Sequence, residues 1–308
     1  MTDRLLLIAV LLLAGAAWGG TQPLAKIAVS EGYRPLGIVF WQMTIGAVAL
    51  GLICRARGKG LSLHPRDIAF YTFIALIGTI LPGFASYSAA VHLPAGVLSI
   101  LLSTVPMLAF PVALAMRHET FGWRRLAGLT LGFCGISLLV LPDTSLPAGI
   151  ATAWIFIALL ASLCYAVEGN VVAKVGTNGL DPVQVLYGAS LVGMAVSLPL
   201  AVTAGQFINP LSSWGAPNSA IVASSLMHAG AYTAYVWLVG RAGPVFAVQI
   251  SYLVTLFGVT WAMLFLGESY SPYFWAALVV KQAGLSLVQP RPKATLETPH
   301  QGGHSEPT

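Results

Sequence analysis

The chain has 308 residues, of which 57% are hydrophobic and only 8% are Asp, Glu, Lys or Arg. A soluble domain carries about a quarter charged residues, because its surface must be wetted; this composition therefore excludes a soluble enzyme, a nucleic-acid binder and a disordered chain. What remains is a polytopic membrane protein, in which the formal net charge of +5 reads as basic residues gathered in cytoplasmic loops rather than as the mark of an acidic partner.

A helix crosses a bilayer with about 20 apolar residues, and the charge-free runs predict ten such spans. The first, about 5–26, follows Arg4 and contains Ala14-Gly15-Ala16. That pattern also fits a secretory signal peptide, but a counterpart in the second half favours a retained helix. This span carries Trp18-Gly19 and Gln22. The second is 35–54, with Gln42; the third is 67–91, with Tyr87, and it breaks at His92-Leu93-Pro94. The fourth, 94–116, holds Leu102-Ser103-Thr104-Val105-Pro106, and the fifth is 123–141. In the fourth, Ser103 and Thr104 either donate to a solute or satisfy carbonyls that Pro106 and Pro111 leave free.

The sixth span, 150–173, contains Tyr165, Asn170 and Glu168, the only acidic residue placed well inside a span. Such a carboxyl binds a cation or a coupling proton, or pairs with a basic residue, with Lys281 the obvious candidate. The seventh is 182–204, followed by a segment rich in Gly, Asn, Pro and Ser. The eighth, 219–240, holds His228, Tyr232 and Tyr235. His228 is a candidate proton shuttle or a hydrogen-bonded packing residue. In the ninth, 244–266, Gln249 and Tyr252 are three apart and are expected on one helix face. The tenth, 272–289, is interrupted only by Lys281, expected to serve as a structural ion partner. The residues after Pro290 read as a disordered cytoplasmic tail, 290–308. Cys54, Cys134 and Cys164 have no metal spacing and read as packing residues.

With ten spans and a cytoplasmic N-terminus, the inner segments hold 12 basic residues and the outer segments 2. That asymmetry predicts both termini in the cytoplasm and an inner (plasma) membrane location. A shift of 149 residues then lays Ala85, Val105, Ala113, Glu119, Leu129, Gly135, Ser137 and Leu138 on Ala234, Val254, Ala262, Glu268, Leu278, Gly284, Ser286 and Leu287. At a shift of 147, Ala17-Trp18-Gly19 answers Cys164-Tyr165-Ala166. Two units follow, 1–142 and 143–289. Five spans is an odd number, so the second unit enters the membrane from the opposite side. Inverted repeats of this kind are a recurring device of secondary transporters, with the site near the midplane.

The chain resembles the drug/metabolite transporter superfamily, specifically its EamA-type exporters. The resemblance is carried by Trp18-Gly19, the run Leu102–Pro106, Leu266-Gly267-Glu268, and the small-residue ladders Gly128, Gly132, Gly135 and Ala277, Gly284. The chain departs from the family pattern at Arg117-His118-Glu119, where Leu-Gly-Glu is usual, at Thr255, where a proline would answer Pro106, and at Lys281 on a ladder position. The resemblance implies export or exchange of metabolites, amino acids or drugs through a central cavity.

The expected fold is therefore an all-α membrane protein of ten transmembrane helices, arranged as two inverted five-helix repeats. The expected function is alternating-access transport of a small metabolite, amino acid or drug-like solute, with protons as an open coupling partner and no cofactor, metal or nucleic acid. Candidate substrate-binding residues are Trp18, Gln22, Tyr87, Ser103, Tyr165, Glu168, His228, Tyr232, Gln249 and Tyr252. An aromatic cavity with a few amides suits stacking and cation–π contact. The rival classes are an intramembrane enzyme, which would need a clustered nucleophile and base, and a non-transporting scaffold, for which an inverted repeat has no purpose.

Overall fold

The computed structural model describes residues 2–117, 119–140, 152–247 and 249–288. The expected unit boundary at 142/143 and the expected tail, 290–308, lie outside the described residues. The described chain forms ten helical segments, and it contains no strand.

These are α1 (Thr2–Ser30), α2 (Pro35–Ala56), α3 (Pro65–His92), α4 (Ala95–Leu102 and Val105–Ala115) and α5 (Trp123–Val140). The rest are α6 (Ala153–Val175), α7 (Pro182–Thr203), α8 (Ala216–Ala242), α9 (Pro244–Ala247 and Ile250–Leu266) and α10 (Pro272–Val288). Six of them are, by length and composition alone, able to cross a membrane. The helices start and stop where the backbone chemistry demands. Proline opens α2, α3 and α7, where its missing N–H has no intrahelical partner to lose. Asp181 and Gln184 add a reciprocal capping box to α7. Gly176, Gly243 and Gly267, all at positive φ, end α6, α8 and α9.

Three helices are broken inside the bundle. In α3 a π-helical turn, Leu76–Ile80, precedes Pro82, whose ring denies the Gly78 carbonyl its usual partner. In α4 the break falls at Ser103-Thr104, just before Pro106. There the Ser103 hydroxyl donates to the Ile100 carbonyl at 2.9 Å and the Thr104 hydroxyl to that of Leu101 at 2.6 Å. In α9 the helix restarts at Ile250, with Gln249 as its N-cap.

The helices pair in a pattern that returns when five is added to each number. Thus α1 packs on α8 as α6 does on α3, α1 on α9 as α6 on α4, and α2 on α8 as α7 on α3. The pairs α2–α7, α4–α9 and α5–α10 map onto themselves. Small residues set the α5–α10 contact. A Cβ on Gly128 would lie 2.6 Å from the Gly284 carbonyl, and one on Gly135 would lie 2.9 Å from that of Ala277. The two contacts interchange under the 149-residue shift. With so little volume at the crossing, the backbones approach closely and dispersion replaces the missing hydrophobic drive. The same device joins α1 to α9, where Gly19 meets Gly258 and Val254. The main buried cluster, including Ile38, Tyr87, Leu98, Leu101, Ile155 and Phe274, fills one end of the bundle around α2, α3 and α4.

Candidate functional site

The broken segments of α3, α4 and α9, together with α1, α6 and α8, enclose a cavity of about 460 Å³. Eight of the ten sequence-predicted residues line it: Trp18, Gln22, Tyr87, Ser103, Tyr165, Glu168, His228 and Tyr232. The other two lie elsewhere. Gln249 is exposed at the start of the second piece of α9. Tyr252 packs beside Met107, Phe110, Leu285 and Val288. The Tyr252 N–H donates to the Gln249 carbonyl at 3.1 Å, so one helical turn joins the two, but neither lines the cavity.

Trp18 organises one wall. Its indole N–H donates to Nδ1 of His228 at 3.1 Å, and its ring meets His228, Tyr232 and Tyr235 edge-on at centroid distances of 5.7, 6.4 and 6.1 Å. Edge-on packing suits the aromatic quadrupole and holds these rings rigid. An Nδ1 that accepts from Trp18 carries no proton of its own. On another wall the Tyr87 hydroxyl donates to Gln42 at 3.0 Å, and Gln22 donates to Thr21 at 3.3 Å.

Glu168 enters the cavity from α6 and rests against the π-helical turn of α3. A Cβ on Gly78 would lie 2.5 Å from its carboxyl carbon, so glycine is what admits the side chain there. No ion pair to Glu168 occurs among the described residues, where the two pairs found are Arg57–Asp181 and Arg125–Glu119. Of the two readings open for Glu168, the pair with Lys281 is therefore not formed. Lys281 is fully buried in α10 and donates instead to the Ser103 hydroxyl and, at 3.4 Å, to that of Thr255. Hydroxyls next to a helix break supplied the partner that an ion was expected to supply.

The cavity also uses residues that the sequence reading did not select: Thr21, Thr79, Ser86, Ser224 and Ser251. The Ser86 hydroxyl has no hydrogen-bond partner among the described residues. Serine and threonine are cheap in membrane helices, because their hydroxyls can bond the preceding turn. They leave no hydropathy signal that would single them out.

The EamA-like transporter family model matches residues 5–141 and 152–289 of this chain. A protein of Streptantibioticus cattleyicolor named "probable terminal-alkyne amino-acid exporter" is 23% identical over 288 residues, which cover 91% of this chain and 92% of that relative. A solved crystal structure of a protein aligns with a TM-score of 0.62 at 18% identity, covering 91% of this chain and 94% of that one; this likeness shows the shared fold.

Proposed function

Because the chain belongs to the EamA-like transporter family and is a multi-pass membrane transporter, we propose that it exports a small amino-acid-like solute across the plasma membrane by alternating access. One observation carries the reading. Eight residues chosen for being costly or aromatic in a bilayer converge on a single cavity, and that cavity holds an acidic side chain without a basic partner among the described residues. An intramembrane carboxyl in that setting is a cation or proton site. The solute's ammonium group sits at Glu168, and its apolar side chain lies against Trp18, Tyr165 and Tyr232. The amino-acid class is supported by the name of the relative from S. cattleyicolor.

The five-helix exchange of packing partners supports two sibling bundles inverted in the membrane, 1–142 and 143–289, with both termini cytoplasmic. Glu119 then lies at the cytoplasmic end and Glu268 at the outer end. The Glu268 carboxylate accepts from the first amides of α4, Ala95 at 2.8 Å and Gly96 at 3.1 Å. Glu119 instead pairs with Arg125 in its own half at 2.8 Å. Glu268 thus ties the two halves at the outer end, as Arg57–Asp181 ties them at the cytoplasmic end, and rocking of the halves exchanges the open end.

The test is amino-acid counterflow in proteoliposomes with and without a pH gradient. The wild type accumulates at least one labelled amino acid above protein-free vesicles, and Glu168→Gln loses this uptake or its pH dependence. Flux of every candidate equal to that of empty vesicles sinks the transport reading; unaltered Glu168→Gln flux sinks the role of Glu168. Cysteines placed singly at Glu119 and Glu268 should react with impermeant reagents from opposite faces. Labelling from one face sinks the inversion.

A further inference from the structure

Lys281 is left over by the reading above. It is fully buried, it sits on a helix that does not line the cavity, and among the described residues its ammonium donates to the Ser103 and Thr255 hydroxyls alone. A lysine at the centre of a bilayer helix is expensive, and two neutral hydroxyls compensate it less than a carboxylate does. Ser103, however, lines the cavity. The ammonium therefore stands one hydroxyl group behind the cavity wall, while Glu168 stands in that wall. Around one small volume the protein keeps two opposite charges that it does not pair with each other.

The register of α4 and α6 gives the offset along the helix axis between Glu168 and Ser103. Ser162 donates to the Leu101 carbonyl and Asn170 to the Ala109 carbonyl, at 2.9 and 3.0 Å. Both bonds carry the same sequence offset, so the two helices run parallel at this contact and Glu168 lies level with Met107. That is four residues beyond Ser103, or about 6 Å of helix rise. The head group of an α-amino acid, with one hydrogen bond of about 2.8 Å at each end, spans roughly 8 Å at full stretch. One zwitterion bridges such a gap.

We infer that Lys281 is a positioning residue that sets specificity: acting through the Ser103 hydroxyl, it holds the carboxylate of a zwitterionic α-amino acid whose ammonium group faces Glu168. This rests on the amino-acid reading above. The Ser103 hydroxyl gives its single proton to the Ile100 carbonyl, at 2.9 Å, while its oxygen accepts from Lys281. When a carboxylate arrives, that proton turns to it. The lysine keeps donating to the serine oxygen and so makes the hydroxyl a stronger donor. A low-dielectric wall between ammonium and carboxylate adds direct attraction that bulk water would screen. An amine without the carboxylate gains none of this.

The experiment uses the purified full-length chain in detergent, with ligand-induced thermal stabilisation across the twenty amino acids, each paired with the amine that lacks its carboxyl. The wild type is expected to bind at least one amino acid roughly ten-fold or more tightly than its amine, the discrimination that one charge-assisted hydrogen bond provides. Lys281→Met and Ser103→Ala should each collapse that ratio toward one, and Lys281→Arg, which keeps the charge, should restore part of it. A merely structural lysine would weaken amino acid and amine alike and leave the ratio standing, and that result overturns the inference, as does a wild type that binds amine and amino acid equally. If Lys281→Met does not fold, Ser103→Ala decides by the same ratio. Binding of no amino acid at all overturns both this inference and the substrate class on which it rests, whereas binding with an unchanged ratio in the variants overturns this inference alone.

Discussion

The loop after α4 and the loop after α9 share one sequence register and end in different contacts. Glu268 accepts from the Ala95 and Gly96 amides at the start of α4 and from the Tyr270 hydroxyl at 2.5 Å. Among the described residues Glu119 meets Arg125, six residues away in the same loop and helix start, and its side chain stays 39% exposed. The residues at matching positions explain the difference. Where α4 begins Ala95-Gly96, α9 begins Pro244-Val245, so one amide donor is missing and a β-branched residue replaces the glycine. Where one loop has Tyr270, the other has Phe121, which has no hydroxyl and is 54% exposed. The loops also turn differently: Gly267 takes the left-handed conformation at φ 65°, whereas in the other loop Arg117 does so at φ 57°. A helix N-terminus holds a carboxylate only where its amides are present and uncrowded. Two loops that share a glutamate therefore need not share a latch.

The comparison can be broken most severely at Glu268. Glu268→Ala orphans two buried amides and should cost about 2–3 kcal/mol, read as a fall in the thermal unfolding midpoint in detergent; an unchanged midpoint would show that the latch carries no weight. Gly96→Ala should cost about 1–2 kcal/mol. A Cβ there overlaps the Tyr270 hydroxyl, and the ring is held in place by stacking on Phe274 at 3.9 Å. Proteolytic susceptibility of the loop after α9 would report the displaced ring, and a loop no more easily cut than in the wild type would count against it.

Tyr270→Phe should cost about 1 kcal/mol. Burial first, and then the hydrogen bond and charge of Glu268, push the Tyr270 hydroxyl above its ordinary value. A raised folded value means that its contribution is whole below about pH 10, the unfolded value, and fades as pH rises through the folded one. Denaturation at pH 7 and above pH 10 should show the gap between variant and wild type shrinking only on the alkaline side. Arg117→Gly relieves a left-handed arginine and should stabilise by about 0.5–1 kcal/mol; a loss of stability would mean that the arginine makes a contact worth more than its strain. Glu119→Ala removes a partly exposed ion pair and should move stability by less than about 0.5 kcal/mol. A larger effect there would put the two loops on equal terms.

Ten helices were legible because each apolar run is punctuated by proline, glycine or charge, as at His92-Leu93-Pro94, where α3 ends at His92 and α4 begins at Ala95. Eight cavity residues were legible for a related reason: Trp18, Glu168 and His228 are conspicuous wherever their neighbours are apolar. Gln249 and Tyr252 sit one turn apart as their spacing predicts but do not line the cavity, because spacing along one helix does not say which neighbour its face meets. Ser86, Ser224 and Ser251 gave no signal, because their hydroxyls are unremarkable in any helix. For Lys281 the sequence offered Glu168, the acidic residue placed inside a span, whereas its partners are two hydroxyls.

By itself the sequence determined that this chain is a multi-pass membrane protein, where its helices start and stop, and which side chains are costly in a bilayer. Those are one-dimensional properties, set by transfer energies summed along a run of residues. The tertiary structure alone decided that Lys281 bonds to Ser103 and Thr255, that the π-helical turn at Gly78 makes room for Glu168, and that Glu268 reaches across to α4. Such partners lie on separate helices, up to 178 residues apart, and hydropathy carries no record of which faces meet.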